Sequence, residues 1–257
     1  MGVLRKSIKM LSKTICYALF SIGSLVLGLV VLPIERAFIH SPEEFKKKGR
    51  ATISNTMRVF LKITKRMGVF EFSYPLPDFS NLGGKIVVSN HPSLFDIVIL
   101  FALIPGANCI VRGALTKSAM GFIIRALYIV NNEDFDSLLS DSSLSLQSGD
   151  TLIIFPEGTR TRKGEEITLK RGTAYIALES MAEIAIYIIG GNSKDGLRKN
   201  DKPWNINSEG RYLFSFRKLE TTLDPKEYAT GHTRDDAIRL TKDMEDILRK
   251  EAGNEGN

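Results

Sequence analysis

The stretch that decides the fold runs over residues 85–96 and reads KIVVSNHPSLFD. Its first part, residues 85–89, is an apolar run typical of a buried β-strand, and a polar segment follows at once. His91 and Asp96 therefore come just after the end of a strand, where α/β proteins keep their functional groups. A carboxylate within reach can hold an imidazole in one tautomer and poise it as a general base near neutral pH. The stretch thus predicts a His–Asp catalytic pair.

Two other interpretations of this stretch stay open. Ser93 followed three residues later by Asp96 is also a helix-start pattern, in which Asp96 only caps a helix over residues 94–103. Ser93 is also close enough to suggest a serine nucleophile. The G-x-S-x-G pattern of the hydrolase nucleophile turn is absent around it, which disfavours that mechanism.

A second strand followed by a turn lies at residues 151–160, which read TLIIFPEGTR. Pro156 ends sheet pairing, and Gly158 permits a tight backbone turn. Arg160 follows the turn, and a guanidinium beside free backbone N–H groups suits a phosphate. The turn therefore indicates an anion site, with a solvated basic loop as the alternative.

Together the two segments resemble the glycerolipid acyltransferases, specifically the PlsC-like 1-acylglycerol-3-phosphate acyltransferase family. The resemblance rests on His91 and Asp96, which match the family's His and Asp separated by four residues, and on FPEGTR at residues 155–160. It extends over about residues 85–189. A weaker match at residues 112–121 keeps the family's cation, Leu and Gly but lacks its Pro.

Other departures from the family bear on the substrate. Residues 128–132 lack the Asp-Arg pair of many members, and residues 184–187 lack a usual Pro. The first motif, with Pro at position 92, resembles that of bacterial branches of the family that acylate less usual lipids. The resemblance therefore predicts the reaction more firmly than the acceptor.

The resemblance implies transfer of a fatty acyl group from acyl carrier protein or coenzyme A to the free hydroxyl of a lysophospholipid, by default 1-acylglycerol-3-phosphate. From the residue chemistry, we expect His91 to take the hydroxyl proton while Asp96 orients the ring. The family's matching positions assign the acceptor's phosphate or glycerol end to Arg112, Glu157, Gly158, Thr159 and Arg160. We expect neither cofactor nor metal, because the sequence has no His or Cys cluster.

Three alternative functions stay open. The acceptor could be a non-standard bacterial lipid. His91 could activate water instead of an alcohol, which would make the protein a thioester hydrolase. The chain could also be an inactive lipid-binding scaffold, although a scaffold needs no base beside a carboxylate.

The N-terminal region predicts attachment to a membrane. Residues 15–34 carry no charge, and twenty residues at ~1.5 Å each can cross a ~30 Å hydrocarbon core. The cations before them, Arg5, Lys6, Lys9 and Lys13, favour a cytoplasmic N-terminus. We expect an uncleaved membrane helix; a signal peptide, a buried helix and a hairpin entering one leaflet stay open. Acyl carrier protein can reach the catalytic domain only from the cytoplasm. We therefore expect this domain on the cytoplasmic side of the inner membrane.

A basic helix is predicted next, over residues 42–67. Its eight cations alternate with Ile53, Met57, Phe60, Leu61 and Ile63, which is typical of a helix on a membrane surface. The alternative is a solvated face packed on the catalytic domain. The chain up to residue 66 has 13 Lys and Arg against 3 Asp and Glu, so its basicity is local and favours anionic lipid over nucleic acid as partner.

We expect three parts: a membrane-associated segment over residues 1–68, an α/β acyltransferase domain over 69–251 and a frayed tail over 252–257. Strands are predicted at residues 85–89, 107–112, 128–130, 151–155, 184–189 and 212–216. Helices are predicted between them at residues 95–103, 119–126, 135–147, 172–181 and 234–250. This alternation predicts a mixed, largely parallel sheet flanked by helices.

Overall fold

The computed structural model describes residues 2–118, 120–131, 134–160, 165–191 and 211–254. The helices are α1 Gly2–Val26, α2 Leu32–Phe38, α3 Pro42–Arg66, α4 Asp96–Leu103, α5 Gly121–Leu127, α6 Phe135–Gln147, α7 Gly172–Ser180 and α8 Thr233–Asn254. The strands are β1 Phe70–Phe72, β2 Ile86–Ser89, β3 Asn108–Arg112, β4 Ile129–Asn131, β5 Leu152–Ile154, β6 Ile184–Gly190 and β7 Tyr212–Leu223.

The described strands form one sheet in the order β1-β7-β6-β2-β5-β3-β4. Neighbouring strands are parallel except β6 and β7, which are antiparallel, so the predicted mixed and largely parallel sheet is confirmed. The central strand β2 pairs with β5 on one side and β6 on the other, with Val88 opposite both Ile154 and Ile186. The segments that leave β2, β5 and β6 therefore meet at the same edge of the sheet.

Helices cover both faces of the sheet, because successive side chains of a strand point to opposite faces and both sets are apolar here. Val87, Ile153 and Tyr187 lie in a core shared with α3, α4 and α5. Val88 and Ile186 lie in a second core shared with α6, α7 and α8. The chain thus forms a three-layer α/β domain. The edge of the sheet at which the segments after β2, β5 and β6 meet lies between the two helical layers.

The N-terminal apolar segment is one nearly continuous helix, in which a π-helical turn, Leu27–Val31, joins α1 to α2. Among the described residues, the helix Ser7–Phe38 is long and apolar enough to cross a membrane. One side of it is packed on the domain: Tyr17 and Phe20 contact the buried Phe95 ring, with centroid distances of 5.7 and 5.5 Å. The other side is exposed and apolar.

The basic helix α3 turns three of its apolar residues toward the interior of the protein. Ile53, Met57 and Phe60 are buried in the core that α3 shares with α4. Arg50 is buried too, and its guanidinium contacts Asp150 at 2.6 Å. For these three residues the expectation of a lipid-facing side is wrong, because the protein itself covers them. Leu61 is partly buried, and Ile63, on the same helix, is 39% exposed.

Candidate active site

Asn90 fixes the place where the chain leaves β2. Its side-chain Nδ2 donates to the carbonyl of Ile189 at 2.9 Å, and its Oδ1 accepts from the Ile189 N–H at 2.8 Å. The amide thus continues the pairing of β2 with β6 one residue beyond the strand. The next residue, His91, is consequently held at a defined point on the edge of the sheet.

His91 and Asp96 form the predicted pair. His91 Nδ1 lies 2.8 Å from Asp96 Oδ2; the imidazole side chain is 18% exposed and the carboxylate is fully buried. An ionised carboxylate only accepts hydrogen bonds, so this contact places the ring proton on Nδ1 and leaves the lone pair on Nε2. Within the described chain, Nε2 has no hydrogen-bond partner. That nitrogen is therefore available to a substrate.

The carboxylate of Asp96 is further held by Ser93. The Ser93 N–H donates to Oδ2 at 2.7 Å, and the Ser93 hydroxyl donates to Oδ1. Asp96 is the first residue of α4, and its bond from the Ser93 N–H is the contact that the helix-start pattern predicted. Because the same carboxylate also contacts His91 Nδ1, Asp96 does more than begin a helix. Ser93 is fully buried and engaged with Asp96, which speaks against a serine nucleophile.

Phe155 orients the imidazole from the neighbouring loop. Its ring stacks on that of His91, with centroids 4.1 Å apart and an angle of 16° between the planes. Phe155 directly follows β5, which pairs with β2, so sheet register brings the two rings together. One face of the imidazole is therefore covered by an apolar ring.

Glu157 lies in the same loop as Phe155 and contacts the main chain of His91. Its Oε1 accepts a hydrogen bond from the main-chain N–H of His91 at 2.8 Å. Burial raises the pKa of the Glu157 carboxyl to about 7, with the negative charge of Asp96 adding to the rise and the His91 N–H opposing it. Glu157 is thus part of the candidate site, and its contact is with the main chain of the His91 loop.

The glycine turn faces cationic side chains. Gly158 has φ +67°, and a Cβ there would meet the Lys170 side chain at 3.1 Å. Arg112, at the end of β3, donates to the Gly158 carbonyl. Thr159 and Arg160 follow the turn and are half-buried, and Arg160 makes a contact within the chain.

The structure therefore joins Glu157 to the His–Asp pair through the His91 N–H, and joins Arg112 to the same loop through the Gly158 carbonyl. The sequence did not single out Asn90 or Phe155 as site residues, although both lie in the two motifs that it identified. Among the described residues, no group of three or more His, Cys, Asp or Glu side chains could hold a metal ion.

A part-exposed imidazole held by a buried carboxylate, at the edge of a largely parallel sheet, is an arrangement suited to acid–base chemistry. Residues 76–190 match the family model described as "Acyltransferase". This part of the chain, which contains both motifs, is therefore similar to that family.

Individual relatives agree with this similarity. The 1-acyl-sn-glycerol-3-phosphate acyltransferase of Cocos nucifera is 28% identical over 166 residues, covering 56% of this chain and 52% of that protein. The protein of the same name from Helicobacter pylori is 33% identical over 103 residues, covering 37% and 44%. The chain thus spans about half the length of these curated relatives.

A solved structure shares the fold. The crystal structure of the 1-acyl-sn-glycerophosphate (LPA) acyltransferase PlsC from Thermotoga maritima matches with a TM-score of 0.65 at 19% identity. The match covers 99% of this chain and 97% of that one. The likeness therefore includes the N-terminal helices as well as the sheet.

Proposed function

We propose that the protein transfers a fatty acyl group from a thioester donor, acyl carrier protein or coenzyme A, to the free hydroxyl of a lysophospholipid. The observation that carries the proposal is the His91–Asp96 pair with an unengaged Nε2, in a part of the chain that matches the acyltransferase family model. The relatives' names favour 1-acylglycerol-3-phosphate as the acceptor.

The geometry supports direct transfer. His91 Nε2 takes the proton of the acceptor hydroxyl while that oxygen attacks the thioester carbonyl. Buried Asp96 stabilises the imidazolium that forms. When the tetrahedral intermediate collapses, the C–S bond breaks and the leaving thiolate takes the proton from His91. The new C–O bond is an ester, and no acyl-enzyme is needed.

The acceptor's phosphate and the oxyanion that develops on the thioester carbonyl both need hydrogen-bond donors. Arg160 and Arg112 supply guanidinium groups beside the glycine turn, and Arg112 has N–H groups left after its bond to Gly158. In the positive-φ turn the Gly158 N–H already donates to the Phe155 carbonyl at 3.0 Å, so the Thr159 N–H is the backbone donor that suits the oxyanion.

The exposed side of α1 and α2 suits a bilayer. The large apolar side chains exposed there include Ile15, Ile22, Leu25, Leu29, Val30, Ile34 and Phe38. The opposite side packs on the catalytic domain through Tyr17 and Phe20, so lipid would surround the helix only in part. This favours a helix lying in one leaflet, with the catalytic domain on the cytoplasmic face of the inner membrane, within reach of soluble thioesters.

The first experiment replaces the base. His91→Ala in purified, vesicle-bound protein is expected to lower kcat by about 10²–10⁴-fold, the usual contribution of a general base. His40→Ala is the matched control, because His40 is exposed and far along the chain from the site. Wild-type turnover in His91→Ala would reject His91 as the base.

The second experiment identifies the reaction. Release of free thiol is measured with and without added 1-acylglycerol-3-phosphate. Release that depends on the lysolipid supports the transferase; release without it supports a thioester hydrolase, and no release supports a scaffold. Arg160→Ala should raise the KM for the lysolipid, and an unchanged KM would contradict the phosphate assignment.

A further inference from the structure

We infer that Glu157 is a positioning residue, which sets the place of the catalytic base by holding the main-chain N–H of His91. The inference rests on the proposed role of His91 as the base. It gives Glu157 a function different from acceptor binding, which the motif resemblance assigns to it.

The first observation is the contact itself. Glu157 Oε1 lies 2.8 Å from the His91 nitrogen, across 66 residues of sequence, and the glutamate is 7% exposed. The two loops are neighbours because β2 and β5 are paired in register up to Val88 and Ile154. A carboxylate that accepts from a backbone N–H makes one of the stronger hydrogen bonds of a protein. The bond thus ties one catalytic loop to the other.

The second observation is that several separate groups hold His91, while its Nε2 stays unengaged among the described residues. Asp96 fixes Nδ1, Phe155 covers one ring face, and the Asn90 side chain ties the residue before His91 to Ile189. Among these described contacts, only Glu157 acts on the main chain of the base. A displacement of about 1 Å at a reacting group can cost ~10²-fold in rate, so the main-chain anchor has a large effect on turnover.

The third observation concerns the acceptor. A 7% exposed carboxylate offers little surface to a lysolipid. Its charge would also repel a phosphate, whereas Arg112 and Arg160 lie in or beside the same turn and attract one. Glu157 is therefore suited to hold the loop, and the arginines are suited to hold the ligand.

The test compares two replacements of similar size. Glu157→Gln keeps an oxygen that can accept from the His91 N–H, whereas Glu157→Met fills the space without one. We expect Glu157→Gln to keep kcat within about threefold of the wild type, and Glu157→Met to lose kcat by about 10²-fold. The KM for 1-acylglycerol-3-phosphate should change less than twofold in both. Glu166→Ala is the matched control, since Glu166 lies in the connection after the same turn and is 84% exposed.

A second readout follows the hydrogen bond directly. Hydrogen–deuterium exchange of a peptide covering residues 86–95 should be faster in Glu157→Met than in the wild type, and unchanged in Glu157→Gln and Glu166→Ala. Circular dichroism checks the fold of each variant. Glu157→Ala replaces Glu157→Met in both measurements if the methionine variant does not fold.

Three results would overturn the inference. The first is a raised KM with unchanged kcat in Glu157→Met, which would mean acceptor binding. The second is wild-type kcat in Glu157→Met, and the third is equal loss of kcat in the Gln and Met variants, which would mean that the charge matters and the acceptor oxygen does not. If His91→Ala is inactive while Glu157→Met behaves as wild type, only this inference fails. Full activity in His91→Ala would instead remove the proposed function.

Discussion

Replacing Glu157 by glutamine should remove from the protein's stability a contribution that falls as the pH rises. Burial raises the pKa of this carboxyl from 4.5 to about 7. As pH rises through this window, the unfolded chain releases the proton while the folded protein keeps it. The folded state therefore binds more protons, and its stability falls with rising pH until the carboxyl ionises in both states above about pH 7.

The size of the effect follows from the shift. One pKa unit corresponds to about 1.4 kcal/mol, so ionising buried Glu157 costs the folded state at most about 3 kcal/mol. A glutamine keeps the acceptor for the His91 N–H and never ionises. Relative to the wild type, Glu157→Gln should therefore gain stability as the pH rises, by about 2 kcal/mol between pH 5 and pH 8.

The measurement is denaturant unfolding of both proteins in one detergent at pH 5 and pH 8. Background titrations common to both proteins cancel in the difference between their free energies of unfolding. Glu166→Gln is the control, because this residue is 84% exposed and its replacement should give the same difference at both pH values. A Glu157→Gln difference that did not change with pH would refute the reasoning.

Two further replacements test the packing. Arg50→Ala should destabilise the protein by about 3 kcal/mol, because it leaves the part-buried Asp150 without its ion partner at 2.6 Å. Lys48→Ala breaks an exposed ion pair at 2.9 Å and should leave thermal unfolding unchanged. Phe95→Ala should cost about 3–5 kcal/mol, because the ring is fully buried among aromatic side chains; Leu94→Ala, 38% exposed, is its control. Both pairs are compared by thermal unfolding. Equal effects of a variant and its control would contradict the burial argument.

Local sequence patterns were sufficient to predict most strands of the sheet and the His91–Asp96 pair. Apolar runs ended by Pro, Gly or polar residues predicted β2 and β5 to within a residue at either end, and helix α6 was predicted with its observed bounds, Phe135–Gln147. The His91–Asp96 contact was predictable because the two residues are five apart in one segment. Such features depend on neighbours in sequence.

Other features depend on partners far along the chain. Strand β1, Phe70–Phe72, is too short for a visible alternation and exists because it pairs with β7. The inward side of α3 could not be predicted, because a solvated helix packed on protein and a helix on lipid show the same pattern of cations and apolar residues. The bond from Glu157 to the His91 main chain spans 66 residues, so both motifs were identified without the contact between them.

The aromatic contact between the N-terminal helix and the domain has a practical consequence. Tyr17 and Phe20 cover Phe95, which lies one residue before Asp96, the carboxylate of the candidate His–Asp pair. A shortened chain, made to avoid detergent during purification, would leave that ring facing water and would loosen the start of α4. The N-terminal helix thus covers part of the interior of the domain, whatever its contact with lipid, and deleting it to obtain a soluble protein would damage the site that the preparation is meant to assay.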